Sequence, residues 1–328
     1  MATKKINRIL ILQGWAILWV VIGHAPLLPI HEMPQPVYVS LLYDIAYSFH
    51  MPLFIFISGY LFRMTRIERH MPYREMISEK LQRLGIPFVV FTIIAMAVKS
   101  VFSADMARPA TFSVGEFVNA VIFPGSGPLS ELWFVATLMW YFALRPLWEI
   151  LDSKPVATII VLTILFYMPE FTENNLLCYQ QVIHYAIFFY LGTIARSKKI
   201  SGTPSLRYVA AICTTAIVYP LFVGGGISSA LEIIVPVLGI FVSIILAIAA
   251  DKYMPLIMSS FRDYSYQIYL MGIFVQIAIK MLYKHGMIPH YGIGYVLCIT
   301  CGIYIPVLVS MAIKKLNNKY LKLCIGLK

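Results

Sequence analysis

Residues 48–62 read SFHMPLFIFISGYLF, an apolar run broken by one titratable ring, His50. Taken with the residues before it, the run is long enough to cross a bilayer as a helix, which needs roughly 17 to 25 apolar residues. A second histidine closes another such run, ILQGWAILWVVIGH at 11–24. The reading of the chain therefore turns on what surrounds these two runs and on whether His24 and His50 meet.

Working outward, the whole chain has the same character. Of its 328 residues 60% are hydrophobic and 12% charged, too little polar surface to cover a water-soluble globule of this size. The fold class that follows is all-α: a polytopic membrane helical bundle with about ten transmembrane helices. Apolar runs repeat from end to end with no long polar block, so residues 1–328 read as a single membrane domain. The opening MATKKINR is followed by no small-residue cleavage site, and the first segment is expected to stay as a span. The five cysteines suggest no disulfide framework, and Cys298 and Cys301 lie inside an apolar run with no histidine or second pair to complete a metal or redox motif.

The expected spans are 9–29, 38–62, 84–103, 131–151, 155–170, 178–196, 207–224, 229–250, 263–283 and 291–313, with an interfacial helix from Ser113 to Ile122 before the fourth. No internal repeat appears, which argues against an inverted-repeat transporter. With the N-terminus inside, the cytoplasmic segments collect Arg8, the run Arg63 to Arg83, Arg145, Lys154, the group Arg196 to Arg207, Lys252, Arg262 and the C-terminal lysines. Only Lys99, Arg108, Lys280 and Lys284 of the 26 basic residues fall outside. Both termini are thus expected in the cytoplasm, with the chain a multi-pass protein of the cytoplasmic membrane. The net charge of +11 reads as a topology signal and an attraction to anionic membrane lipids, with no nucleic acid implied.

Orientation gives depth. At 1.5 Å per residue His24 lies about 24 Å from Arg8, and His50 about 20 Å from Arg63. Both rings then sit in the outer half of a core about 30 Å thick, on consecutive helices that tend to pack. Pro52 is expected to loosen the backbone beside His50 and to make the surroundings a polar cavity.

The segments GWAILWVVIGH, SFHMPLFIFISGYLF, KLQRLGIPFVVF, LWFVATLMWYF, FFYLGTIAR and YSYQIYL follow one another in the order and spacing of the acyltransferase 3 family of integral membrane acyltransferases. The chain resembles that family over nearly its whole length, and within it the sugar O-acetyltransferase branch of fucose O-acetylase-like proteins. The resemblance implies an enzyme that takes an acyl group, most simply acetyl, from cytoplasmic acyl-CoA and places it on a hydroxyl of a cell-envelope sugar or glycan, with no metal. The chain departs from the family at two places. Gln13 and Leu10 stand where many members have a basic residue and an acid, and Gln13 can hydrogen-bond but cannot neutralise a phosphate. Gly272 stands where the family often has a histidine.

Acyl transfer from a thioester to a sugar hydroxyl needs a base at the hydroxyl, donors for the oxyanion and cations for the donor's phosphates. His24 suits the base, since a buried imidazole keeps a neutral nitrogen available. Asp44 and Glu131 are the candidate acids at the outer end; Glu131 is the catalytic one and Asp44 a substrate contact, against the alternative that Glu131 only starts a helix. His50 relays a proton, binds the acceptor or meets the oxyanion, or else merely packs two helices. Trp133 offers a face for a sugar ring or belongs to the interfacial belt. Gln13 is counted among the substrate contacts. Ser58 and Gly59 either let the donor's arm pass or serve close packing. In RMTRIERHMPYREMISEKLQRLGIP, Lys80 and Arg83 are chosen for the CoA phosphates, the remaining cations being read as topology. Glu79 is expected to pair with Arg83, and Met76, Ile77, Leu81 and Leu84 to line a short amphipathic helix. His184 reads as a possible acceptor contact with packing ahead. His70, His31, His285 and His290 carry no signal, and Arg145 pairs with Glu149. The rival class is a polytopic transporter or flippase for an envelope glycan or lipid-linked precursor, which would also place polar residues at mid-membrane.

Overall fold

The structure, a computed structural model, describes residues 2–30, 33–105, 109–168, 175–197, 206–224 and 226–327. Arg108 and His31, and part of the basic group after Arg196, lie outside them. Among the described residues the chain is helical, with no strand. In order the helices are α1 (Ala2–His24), α2 (Val37–Phe62), α3 (Tyr73–Lys80), α4 (Ile86–Val101), α5 (Val114–Ile122), α6 (Trp133–Ala143), α7 (Arg145–Leu151), α8 (Pro155–Phe166), α9 (Tyr179–Ser197), α10 (Leu206–Phe222), α11 (Gly226–Tyr253), α12 (Ser265–Lys284), α13 (Tyr291–Leu316) and α14 (Lys319–Cys324).

A helical membrane bundle is what the composition demanded. Among the described residues five stretches are long and apolar enough to cross a bilayer: Val37–Ile67, Tyr73–Val101, Gly226–Tyr253, Arg262–Lys284 and Tyr291–Leu316. Ser130–Ala143 with Arg145–Leu151 makes a sixth if a 63° bend is allowed, and Asn7–Gly23, Pro155–Phe166 and Ala210–Leu221 are shorter apolar helices. The expected interfacial helix is α5, started by Ser113, whose hydroxyl accepts the Glu116 N–H at 3.1 Å.

Three local readings change. The third span begins at Tyr73, not near Leu84, because the short amphipathic helix runs on into α4 through a π turn at Leu81–Gly85. Pro87 has no N–H for the Arg83 carbonyl, and the helix widens there instead of stopping. Met76 and Leu84 are buried as expected of that helix, whereas Leu81 is exposed. The fourth span is broken at Leu144, where Pro146 removes a donor and crowds the preceding turn. Its loosened carbonyls are satisfied inside the protein: Trp148 Nε1 donates to Tyr141 O at 2.8 Å and the Tyr73 hydroxyl to Ala143 O at 2.9 Å. Pro52, by contrast, does not interrupt α2. That helix instead continues through a π turn at Arg63–Ile67 and ends with His70 in the left-handed region (φ 51°), the Met71 N–H closing on Arg66 O at 3.1 Å and Pro72 following.

The helices gather into two compact units, residues 1–54 with 235–328 and residues 55–234, so that α2 and α11 are each divided between them. In the first unit α1 packs on α12 and α13 through Ile17, Val20, Val21, Ile268, Ile303 and Val307. The approach of α12 to α13 explains the departure at Gly272, where a Cβ would come within 2.9 Å of Gly302 O. No histidine side chain fits at that point. At the other end of α1, Asp251 accepts from Asn7 at 2.7 Å and Arg8 at 2.9 Å, while Arg262 donates to Asn7 Oδ1 at 2.8 Å. Groups assigned by charge to one side of the membrane therefore meet.

In the second unit the core is aromatic. Phe189 of α9 touches the rings of Phe62, Tyr141 and Trp148 at 5.5, 4.7 and 5.3 Å. Lipid is as apolar as these side chains, so the energy lies in close contact rather than in escape from water. Gly59 and Gly192 show how close: a Cβ on Gly59 would overlap the Phe189 carbonyl, and one on Gly192 the Phe56 carbonyl. Of the two readings for Ser58–Gly59, close packing holds for Gly59. The ends expected inside meet here as well, through the Arg63–Asp152 and Arg196–Glu68 ion pairs.

Candidate active site

His24 is the last residue of α1, because the following Ala25-Pro26 cannot continue a helix. Its Nδ1 lies 2.9 Å from Val20 O, one turn back on the same helix. His50, 2% exposed within α2, makes the equivalent contact to Ala46 O at 2.5 Å. A carbonyl only accepts, so in both rings Nδ1 carries the hydrogen and Nε2 is the basic nitrogen of the neutral form. The two rings meet edge to face with centroids 6.5 Å apart and planes at 87°. Tyr47, three residues before His50, bridges them at 5.9 Å from His24 and 5.0 Å from His50, and Tyr43 stacks behind it at 4.2 Å. The expectation that the two histidines were brought together is met, on facing helices and within one unit.

The backing of this pair comes from α12. Gln276, 2% exposed, donates to Val21 O at 2.9 Å, and Lys280 Nζ donates to the carbonyl of His24 itself at 2.8 Å. Neither was picked out from sequence. For Lys280 the signal existed: it was a lysine on the wrong side of the charge pattern. Tyr47 could have been found from its i,i+3 spacing to His50.

The other first-unit candidates are placed more loosely. Asp44 is exposed on α2, within a turn of Tyr47. Gln13 is half-buried on α1, and its neighbour Gly14 abuts Arg262, where a Cβ would lie 2.7 Å from the arginine's Cβ. The Arg262 guanidinium itself is held by Asn7 and by the carbonyls of Pro255 and Ile257 at 3.1 Å each.

In the second unit the donor candidates lie around the paired π turns. Lys80 sits 3.7 Å above the Phe142 ring, a cation–π contact. Arg83 reaches Glu79 only at 3.9 Å, because Glu79 is engaged by Arg66, whose two terminal nitrogens contact its oxygens at 2.5 and 3.0 Å. The fork-to-fork geometry is specific to arginine. Arg66, read from sequence as topology alone, is the buried member of the loop. Arg145 pairs with Glu149 at 2.9 Å as expected, and also donates to Met71 O at 2.6 Å. Ser58 is half-buried on α2.

Glu131 lies in the 3-10 turn Ser130–Leu132 that leads into α6 and Trp133 begins the helix, both half-buried, with Trp133 stacked on Tyr185 at 5.2 Å. His184 is occupied structurally, its Nδ1 on Phe166 O at 3.1 Å and its ring stacked on Phe166 at 4.0 Å.

Two histidines of matched tautomer, one at a helix end and one buried against it, form an arrangement able to take up and pass on a proton. Comparison with known proteins gives that chemistry a family. No curated protein and no solved structure matches the chain, but the family described as an acyltransferase domain, acyltransferase 3, matches residues 6–313. The match runs through all the elements just described, from α1 to α13, and the chain accordingly belongs to the acyltransferase 3 family, as a multi-pass membrane acyltransferase.

Proposed function

We propose that this acyltransferase moves an acyl group, acetyl in the first instance, from cytoplasmic acyl-CoA to a hydroxyl of a cell-envelope sugar or glycan, in the manner of the sugar O-acetyltransferase branch it resembles. The observation that carries the reading is the tethered His24 ring. With Nδ1–H held by Val20 O, Nε2 is the nitrogen left to act as base. It takes the proton of the acceptor hydroxyl as that oxygen attacks the thioester carbonyl. The tetrahedral adduct then collapses with loss of the C–S bond, and the proton passes from His24 to the departing thiolate. His50 stands beside His24 to share that proton through its own Nε2 and, once it holds the proton, to donate to the adduct's oxygen. Direct attack is preferred to a covalent acyl-enzyme because no cysteine flanks His24 in the sequence.

Glu131 is proposed as the catalytic carboxylate, while the His24 tautomer is set by Val20 O. Asp44 and Trp133 meet the acceptor, a carboxylate for its hydroxyls and a ring face for its C–H groups, and Gln13 adds a neutral contact. Lys80 and Arg83 take the CoA phosphates, with Ser58 beside the donor's arm. Both termini are placed in the cytoplasm and the protein in the cytoplasmic membrane, since that orientation puts the arginine-rich turns on the side of acyl-CoA.

The test is transfer from labelled acetyl-CoA to envelope glycan in membranes holding wild-type protein or His24→Ala at equal level. Loss of transfer is expected; full transfer by the mutant would remove His24 from the mechanism. Mass spectrometry of envelope glycans with and without the gene identifies the acceptor.

A further inference from the structure

An α-helix leaves its last four carbonyls without intrahelical donors, and inside a membrane no water replaces them. For α1 these are the carbonyls of Val21, Ile22, Gly23 and His24. Ala25 N–H closes on Ile22 O at 3.2 Å, Gln276 caps Val21 O and Lys280 caps His24 O. One residue group further on, the Leu27 N–H donates to the Tyr291 hydroxyl at 3.2 Å, which in turn donates to Gln35 at 2.6 Å. The end of α1 is thus held from α12 at Val21 and His24 and from α13 at Leu27.

A neutral amide such as Gln276 is enough to satisfy a carbonyl. An ammonium, even half-buried, costs more to desolvate than an amide, a cost lowered but not cancelled by the negative end of the helix dipole. The charged cap is placed on the one residue of the turn that carries the base. Because the ring is tied at Nδ1 to Val20 of the same turn, Nε2 moves with the backbone of α1. Fixing the His24 carbonyl fixes the nitrogen.

From this geometry we infer that Lys280 is a positioning residue for His24: its ammonium clamps the last turn of α1 and so sets where the imidazole Nε2 meets the acceptor hydroxyl. The inference rests on the acyl-transfer reading for its kinetic consequence, and on geometry alone for its effect on the ring.

Both are measured in membranes on wild type, Lys280→Met, Lys280→Gln and Lys280→Arg. Gln keeps a neutral donor but is one bond too short to reach His24 O, so it tests position in a variant that folds if the methionine variant does not. Kinetics of transfer from acetyl-CoA are combined with the rate at which diethyl pyrocarbonate modifies His24, scored by mass spectrometry against the exposed His285. The methionine and glutamine variants are expected to lose about 10- to 100-fold in kcat, the penalty for a base displaced by about 1 Å, with the donor KM unchanged. Their His24 modification ratio is expected to change, and arginine to restore both readouts. Wild-type kcat together with a wild-type modification ratio in Lys280→Gln overturns the clamp. A wild type that transfers no acyl group, while the ratio changes in Lys280→Gln and returns in Lys280→Arg, overturns the acyl-transfer reading and supports the clamp.

Discussion

The ring of His24 lies edge-on to that of His50, centroids 6.5 Å apart, and each is hung by Nδ1 from the carbonyl four residues before it on its own helix. The equivalence ends at exposure: His50 is buried, whereas His24 is half-buried at a helix end. The more open ring is the better placed to meet a substrate, and the buried one to support it.

Unequal losses follow. His24→Ala is expected to lower transfer by about 10²- to 10⁴-fold, the contribution of a general base, and His50→Ala by less. His50→Asn, which keeps one donor, is expected to recover part of the latter. Initial rates with labelled acetyl-CoA at matched protein level decide; equal losses at both positions would make the pair a single catalytic unit.

The Arg66–Glu79 pair is a stability element. Glu79→Gln leaves a buried guanidinium without its counter-charge and is expected to cost about 3 kcal/mol or more, read as a lowered Tm in detergent. Replacing both residues with methionine is expected to regain most of the loss, because the desolvation penalty disappears with the charge.

Gly59 and Gly192 tolerate no side chain. Gly192→Ala forces apart the backbones of α2 and α9 and is expected to destabilise the second unit by about 3 kcal/mol, with Gly59→Ala similar. Gly115, with open space around its Cβ position, is the control: Gly115→Ala is expected to leave stability unchanged or slightly raised.

Removal of the two cations nearest α4, as Lys80→Met with Arg83→Gln, is expected to weaken acetyl-CoA binding about a hundredfold or more, the loss of two charge-assisted contacts, and to leave the acceptor KM unchanged. Isothermal titration with acetyl-CoA checks the first half. Unchanged affinity would reduce this stretch to a topology signal and turn attention to Arg262, whose stem packs on Gly14.

Much of the architecture was legible because a bilayer is an exacting solvent. Apolar runs such as 38–62 have few alternatives to a buried helix, and lysine and arginine counts order the loops. The breaks were harder to see. Pro52, Pro87 and Pro146 look alike in the sequence, yet one is passed straight through, one widens its helix and one bends it by 63°. The outcome depends on which side chains reach the freed carbonyls: Trp148 reaches one from the far arm of the same bend, and Tyr73 another from 70 residues away. Polar partnership was legible only in part for the same reason: Glu79 does pair with Arg83 four residues on, at 3.9 Å, but its closer partner, Arg66, comes from across a turn.

By itself the sequence determined the membrane class, the helical content, the family and the two histidines, since each rests on local composition or on residues in a fixed order. Tertiary structure alone decided that Arg66 joins Arg83 at Glu79 and grips it more closely, that Gly272 leaves no room for a histidine, and that Lys280 grips the carbonyl of His24. Those relations join residues as much as 256 positions apart, and no local pattern records a hydrogen bond that only packing creates.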